Sequence, residues 1–150
     1  LYHENLAYSP IVGQLYVWTS GFALFAFLIT LARELVKDIE DIEGDREMEC
    51  RTAAIVWGTK NTKIIVSLIL VITIALISYI FFCVLPFPHS WNTLATRYML
   101  FGLNVPIVCA IVLLWAAKTP IEYHRAQVII KFAMFMGVMY SFVIYQNLLG

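Results

Sequence analysis

The chain has 150 residues and no formal net charge; 61% of it is hydrophobic and only 13% charged. A soluble domain is about half apolar and about a quarter charged, so this chain cannot cover its apolar surface in water, and lipid is the better solvent for it. The absence of a basic patch interleaved with aromatics excludes nucleic acid as a partner.

The first fourteen residues, LYHENLAYSPIVGQ, have no charged leader and no small-residue cleavage site, so they do not read as a signal peptide. They also lack an initiating methionine, and the chain is expected to be the C-terminal part of a longer protein. A helix crosses the hydrocarbon core in about 20 apolar residues, and residues 15–36, LYVWTSGFALFAFLITLARELV, form the first such span.

Directly after it comes LARELVKDIEDIEGDREMECRT, residues 31–52, which holds eight of the ten carboxylates. No proline interrupts 15–43, so the helix is expected to run on to about Glu43, with Gly44 as the first breaker. On helical geometry Glu34, Asp38, Asp41 and Asp45 share an arc of about 60°, and Glu40, Glu43 and Glu47 lie opposite. Carboxylates stacked at helical neighbours repel, so the aspartate face calls for a cation, either basic side chains or a metal. Carboxylate oxygens suit Mg²⁺, which takes one or two of them and shares its other sites with water and phosphate. A plain acidic interfacial stretch with Lys37 and Arg46 as counter-ions meets the same spacing. A calcium loop fails because a glycine at its sixth position would put Ile39 at its first, and the P-loop pattern is absent.

Three further spans follow: residues 63–85, 97–117 and 127–149. The ten-residue alternation of a membrane barrel is missing, so the expected fold class is all-α, a polytopic membrane helix bundle. Arg33, Lys37, Arg46, Arg51, Lys60 and Lys63 flank the first connection, and Lys118, Arg125 and Lys131 flank the third. Only Arg97 borders the PFPHSW connection. By the positive-inside rule the acidic stretch is cytoplasmic and the C-terminus outside, with Trp18, Tyr79, Trp91, Tyr98, Trp115 and Tyr145 as interfacial aromatics. Cys50, Cys83 and Cys109 share no metal-type spacing and read as packing residues. His3, His89 and His124 share no ligand spacing and receive no role. Asn104, two residues before Pro106, predicts a kink with a hydrogen-bonded Asn.

The words LARELVKDIEDIEGDRE, with Asp41-x-x-x-Asp45 at their core, and then CRTAAIVWGTKNT resemble the second aspartate-rich motif of the UbiA-type intramembrane prenyltransferases. The KDIEDIEGDR wording is similar to the ether-lipid branch of that family, the digeranylgeranylglyceryl phosphate synthases. The resemblance implies a nine-helix bundle, of which these four spans are the last four, with a cytoplasmic helical cap at about 37–62. Residues 1–150 are then the C-terminal part of a single membrane prenyltransferase domain in the plasma or inner membrane.

The resemblance also implies Mg²⁺-dependent transfer of a polyprenyl group from a prenyl diphosphate, such as geranylgeranyl diphosphate, to a lipid-like acceptor. A prenylated glyceryl phosphate is the expected acceptor; aromatic acceptors of the quinone, tocopherol or porphyrin type are the alternative. Asp41 and Asp45 carry over as catalytic metal ligands, with Asp38 beside them, and Arg51, Lys37 and Lys131 as diphosphate-binding residues. Lys131 also reads as a snorkelling residue. The first aspartate-rich motif is absent, so this chain alone is expected to be inactive without the N-terminal half of the bundle. Outside the enzyme class stand a transporter segment, which would place acids deep within a span, and a membrane scaffold with an acidic cap.

Overall fold

The computed structural model describes residues 10–84 and 94–149, all but a few of them helical. His3, His89, Trp91 and the PFPHSW connection lie outside the described residues.

Helix α1 runs over Pro10–Glu40. Two short helices follow, α2 at Ile42–Glu47 and α3 at Ala53–Trp57. Helix α4, Thr59–Tyr79, continues as a π-helical turn over Ile80–Val84. The third span comprises α5 at Leu94–Arg97, a π-helical stretch at Tyr98–Asn104, and α6 at Val105–Ala116. Helix α7 occupies Pro120–Leu149. Among the described residues, four helical segments are long and apolar enough to cross a membrane: Leu15–Glu40, Thr59–Cys83, Leu94–Ala116 and Pro120–Gln146. The fold is therefore an all-α membrane helix bundle.

The first span starts at Leu15 as expected and the other three start earlier, and for α4 and α7 local chemistry says why. Helix α7 begins at Pro120 rather than 127 because Thr119-Pro-Ile-Glu122 is a capping box. The Glu122 carboxylate accepts the backbone N–H groups of Thr119 at 3.0 Å and of Lys118, and Pro120 fits the first helical position. Helix α4 begins at Thr59 because Gly58 turns the chain at φ 83 and ψ 154, a region closed to residues with a Cβ. Asn104 and Pro106 produce a π-helical stretch in place of a simple kink. Pro106 has no N–H to give the preceding turn, and Asn104 Nδ2 donates to Met99 Sδ at 3.3 Å.

Helix α1 packs against both α4 and α7, and α6 packs against α7. Ile29, Val36, Val66, Leu70, Ile107, Ile130 and Ile144 fill the shared core. Close approach of α1 to α7 depends on Gly137: the Phe25 ring lies where a Cβ would stand, 2.3 Å from it. Three short hydroxyl side chains within the spans bond to their own helix. Thr62, Ser67 and Thr73 donate to the carbonyls of Gly58, Lys63 and Ile69 at 2.8, 2.9 and 2.7 Å. All three cysteines are free, but they are exposed rather than packed.

Candidate active site

The buried residues of α1 are Phe25, Ile29, Ala32, Leu35, Val36 and Ile39, and together they define the face turned to the core. Glu34 and Asp41 are exposed, and Asp38 and Asp45 are half-buried. At about 100° per residue the aspartate face therefore points away from the four-helix core. Above it along α1, Phe27, Leu24 and Tyr16 are exposed as well and continue the same side as an apolar wall.

The expectation of one helix to Glu43 is corrected at Asp41. That residue sits at φ −93 and ψ 10, between α1 and α2, yet the hydrogen-bond ladder runs through it. Asp41 N–H donates to the Lys37 carbonyl at 3.0 Å, and Asp45 N–H donates to the Asp41 carbonyl at 2.9 Å. The two carboxylates thus remain one helical turn apart. Gly44 does not break the helix but lies inside α2. The chain turns at Glu49, with φ 56. Cys50 N–H reaches back to the Asp45 carbonyl at 2.8 Å, and Glu49 N–H to that of Arg46 at 3.2 Å. This pair of bonds is a Schellman motif in which Glu49 holds the position that glycine usually fills.

The two faces differ in their partners. The Glu40 carboxylate, opposite the aspartates, accepts from His124 on α7, with Oε1 3.1 Å from Nδ1. Arg33 pairs with Glu34. Neither of these ion pairs involves an aspartate. Asp41 is the residue before α2, but its side chain makes no cap hydrogen bond. Its carboxylate is therefore not committed to the backbone.

Among the described residues, no group of three or more His, Cys, Asp or Glu side chains is placed to hold a metal ion. Two carboxylates one turn apart fit the smaller requirement of Mg²⁺, which fills its remaining positions with water and phosphate oxygens. Lys37 and Arg51 are exposed near the aspartates in sequence. Lys131 is exposed on α7, eleven residues after Pro120 and so about 16 Å along the helix.

Sequence reasoning passed over two residues here. His124 had no spacing partner because Glu40 is 84 positions away. Lys63 read as a flanking positive charge, yet its Nζ donates to the Ala117 carbonyl at 2.9 Å, at the end of α6, and lies 5.0 Å from the centre of the Tyr123 ring. It ties α4 to the α6–α7 junction. The Thr119-Pro-Ile-Glu122 box was the available signal that this junction is built tightly.

The UbiA prenyltransferase family matches the chain over residues 6–139. The digeranylgeranylglyceryl phosphate synthase of Methanosphaera stadtmanae is 31% identical over 128 residues, which are 82% of this chain and 42% of that protein. Its counterpart in Thermococcus onnurineus is 28% identical over 135 residues, 87% of this chain and 46% of that protein. The Thermococcus sibiricus synthase is 46% identical over 59 residues, 37% of this chain and 21% of that protein. The chain spans less than half the length of these curated relatives. No solved structure matches it.

Proposed function

The chain belongs to the UbiA prenyltransferase family, and on that premise we propose that it is the C-terminal part of a Mg²⁺-dependent enzyme that transfers a polyprenyl group from a prenyl diphosphate to a prenylated glyceryl phosphate. One observation carries the reading: Asp41 and Asp45 stand one turn apart on a face directed away from the core, with no ion-pair partner among the described residues. The named activity of the digeranylgeranylglyceryl phosphate synthases supports the ether-lipid acceptor.

In this reading Asp41 and Asp45 hold Mg²⁺, and Asp38 is the remaining candidate ligand. The bound ion supplies charge neutralisation of the departing diphosphate. Arg51 and Lys37 meet diphosphate oxygens from the same end of the bundle, and Lys131 meets phosphate from α7. The exposed wall of Phe27, Leu24 and Tyr16 takes the prenyl chain and keeps water from the allylic centre. The allylic C–O bond breaks with its electron pair going to diphosphate, and the acceptor hydroxyl oxygen forms the ether bond and releases its proton. The facing half of the metal site lies in an N-terminal part of the bundle, with the full domain carrying nine helices and residues 37–62 as its cap. The acidic motif is cytoplasmic and the C-terminus outside, as the distribution of Lys and Arg supports.

Family membership favours this over a transporter segment or a scaffold. The test is a transfer assay on the full-length protein in lipid, with radiolabelled geranylgeranyl diphosphate and a set of acceptors. Product with the prenylated glyceryl phosphate, lost on chelation of divalent cations, is expected. Product only with aromatic acceptors would replace the acceptor assignment.

A further inference from the structure

The side of α1 that carries the aspartates continues toward the far end of the bundle as a groove against α4. Tyr16, Ser20, Gly21 and Leu24 line it from α1, and Leu76 and Ile80 from α4. At about 100° per residue Ser20 falls on the arc of Asp38, and Leu24 and then Gly21 turn from that arc toward the core.

Ile80 closes the side of this groove at Gly21. Its Cδ1 lies 2.6 Å from where a Cβ on residue 21 would stand, so the side chain is seated directly on the α1 backbone. A second, apolar cavity of about 50 Å³ lies in the core, lined among others by Trp18, Phe25, Leu103 and Tyr140. Gly21 and Ile80 line both spaces, and their contact is the partition between them.

Helix rise sets the depth of that partition. Leu24 and Gly21 precede Asp41 by 17 and 20 residues, about 25 and 30 Å along the helix. The sixteen-carbon backbone of a geranylgeranyl group extends about 18 Å at about 1.2 Å per bond. An ion on Asp41 and the diphosphate add several ångströms, so the last of the four isoprene units lies beside Leu24. A fifth unit, four bonds or about 5 Å longer, ends at Gly21 and meets Ile80.

We propose that Ile80, seated on Gly21, sets the length of prenyl chain accepted: the groove holds four units, and the Ile80 side chain bars a fifth from the cavity beyond. The inference deepens the function proposed above and rests on it. The inner cavity has about a third of the volume, about 150 Å³, in which an apolar protein cavity holds benzene. It therefore takes no isoprene unit until the space of the Ile80 side chain is joined to it.

The test is kcat/KM of the full-length protein in lipid for prenyl diphosphates of three, four and five isoprene units with one acceptor. The parent should favour four. Ile80→Ala should raise the five-to-four ratio roughly tenfold, the scale on which a pocket distinguishes small differences in apolar bulk. Adding Leu103→Phe refills the cavity from the third span and should return that ratio toward the parent's. Ser20→Phe, at an exposed position in the groove, should move preference from four units to three by a similar factor, and it decides the matter alone if Ile80→Ala does not fold. A shift in Ile80→Ala that Leu103→Phe does not reverse would overturn the inference, because the fifth unit would then lie elsewhere. Transfer with the parent's length profile in Ile80→Ala or in Ser20→Phe would overturn it and leave the function standing. Absence of transfer from every diphosphate by the parent would overturn the function, and this inference with it.

Discussion

Glu40 on α1 reaches His124 on α7, with Oε1 3.1 Å from Nδ1, while its neighbour Asp41 points to the other side of the helix. Adjacent carboxylates thus have different tasks: one joins helices of the bundle, and the other faces outward without an ion-pair partner among the described residues. The division follows from helical geometry, since one position rotates a side chain by about 100°.

The Glu40–His124 pair is a partly solvated contact, with His124 about half exposed at 56%. Such pairs contribute under about 1 kcal/mol. Glu40→Gln should therefore lower thermal stability slightly in detergent and leave prenyl transfer close to the parent's. A Glu40→Gln protein as inactive as an Asp41 variant would show that the two faces do not divide the work this way.

Glu49 turns the chain at φ 56 after α2, a conformation that costs a residue with a Cβ about 1–2 kcal/mol. Glycine relieves that strain but loses about 0.5–1 kcal/mol of chain entropy on folding. Glu49→Gly should stabilise the protein by a net of roughly 0.5 kcal/mol. Thermal unfolding of the two forms side by side checks this, and a lower midpoint would mean that the Glu49 side chain contributes a contact worth more than the strain.

Gly137 allows the Phe25 ring to lie directly against α7. A methyl group there meets ring atoms at 2.3 and 2.8 Å, and both residues are buried. Gly137→Ala should cost about 1–3 kcal/mol through overpacking, measured as a lower unfolding midpoint. The double variant Gly137→Ala with Phe25→Leu should recover part of that loss, because the shorter side chain vacates the space. No recovery would place the clash elsewhere.

The spans and the existence of an aspartate face were legible because both depend on local quantities, hydropathy over about 20 residues and a repeat of about 3.6 residues. The ends of the helices were less so. Gly44 looked like a breaker, but a glycine in a helix costs only about 1 kcal/mol, and the Asp41–Asp45 ladder carries the helix past it. Pro120 looked like loop, although with Glu122 it starts a helix. Long-range pairs were invisible: nothing near His124 announces Glu40, and nothing near Lys63 announces Ala117. The expected packing role of Cys83 and Cys109 also failed, because apolar surroundings in sequence do not say whether a side chain meets protein or the outer face of the bundle.

The central claim is that Asp41 and Asp45 hold the metal for prenyl transfer. The most direct measurement is the rate of prenyl transfer by full-length Asp41→Asn and Asp45→Asn proteins, taken together with their unfolding midpoints. The account predicts loss of turnover in each, about a hundredfold or more by analogy with the loss of groups that stabilise developing charge, with midpoints at or above the parent's because like-charge repulsion is relieved. Folded Asn variants that turn over at the parent's rate would contradict it.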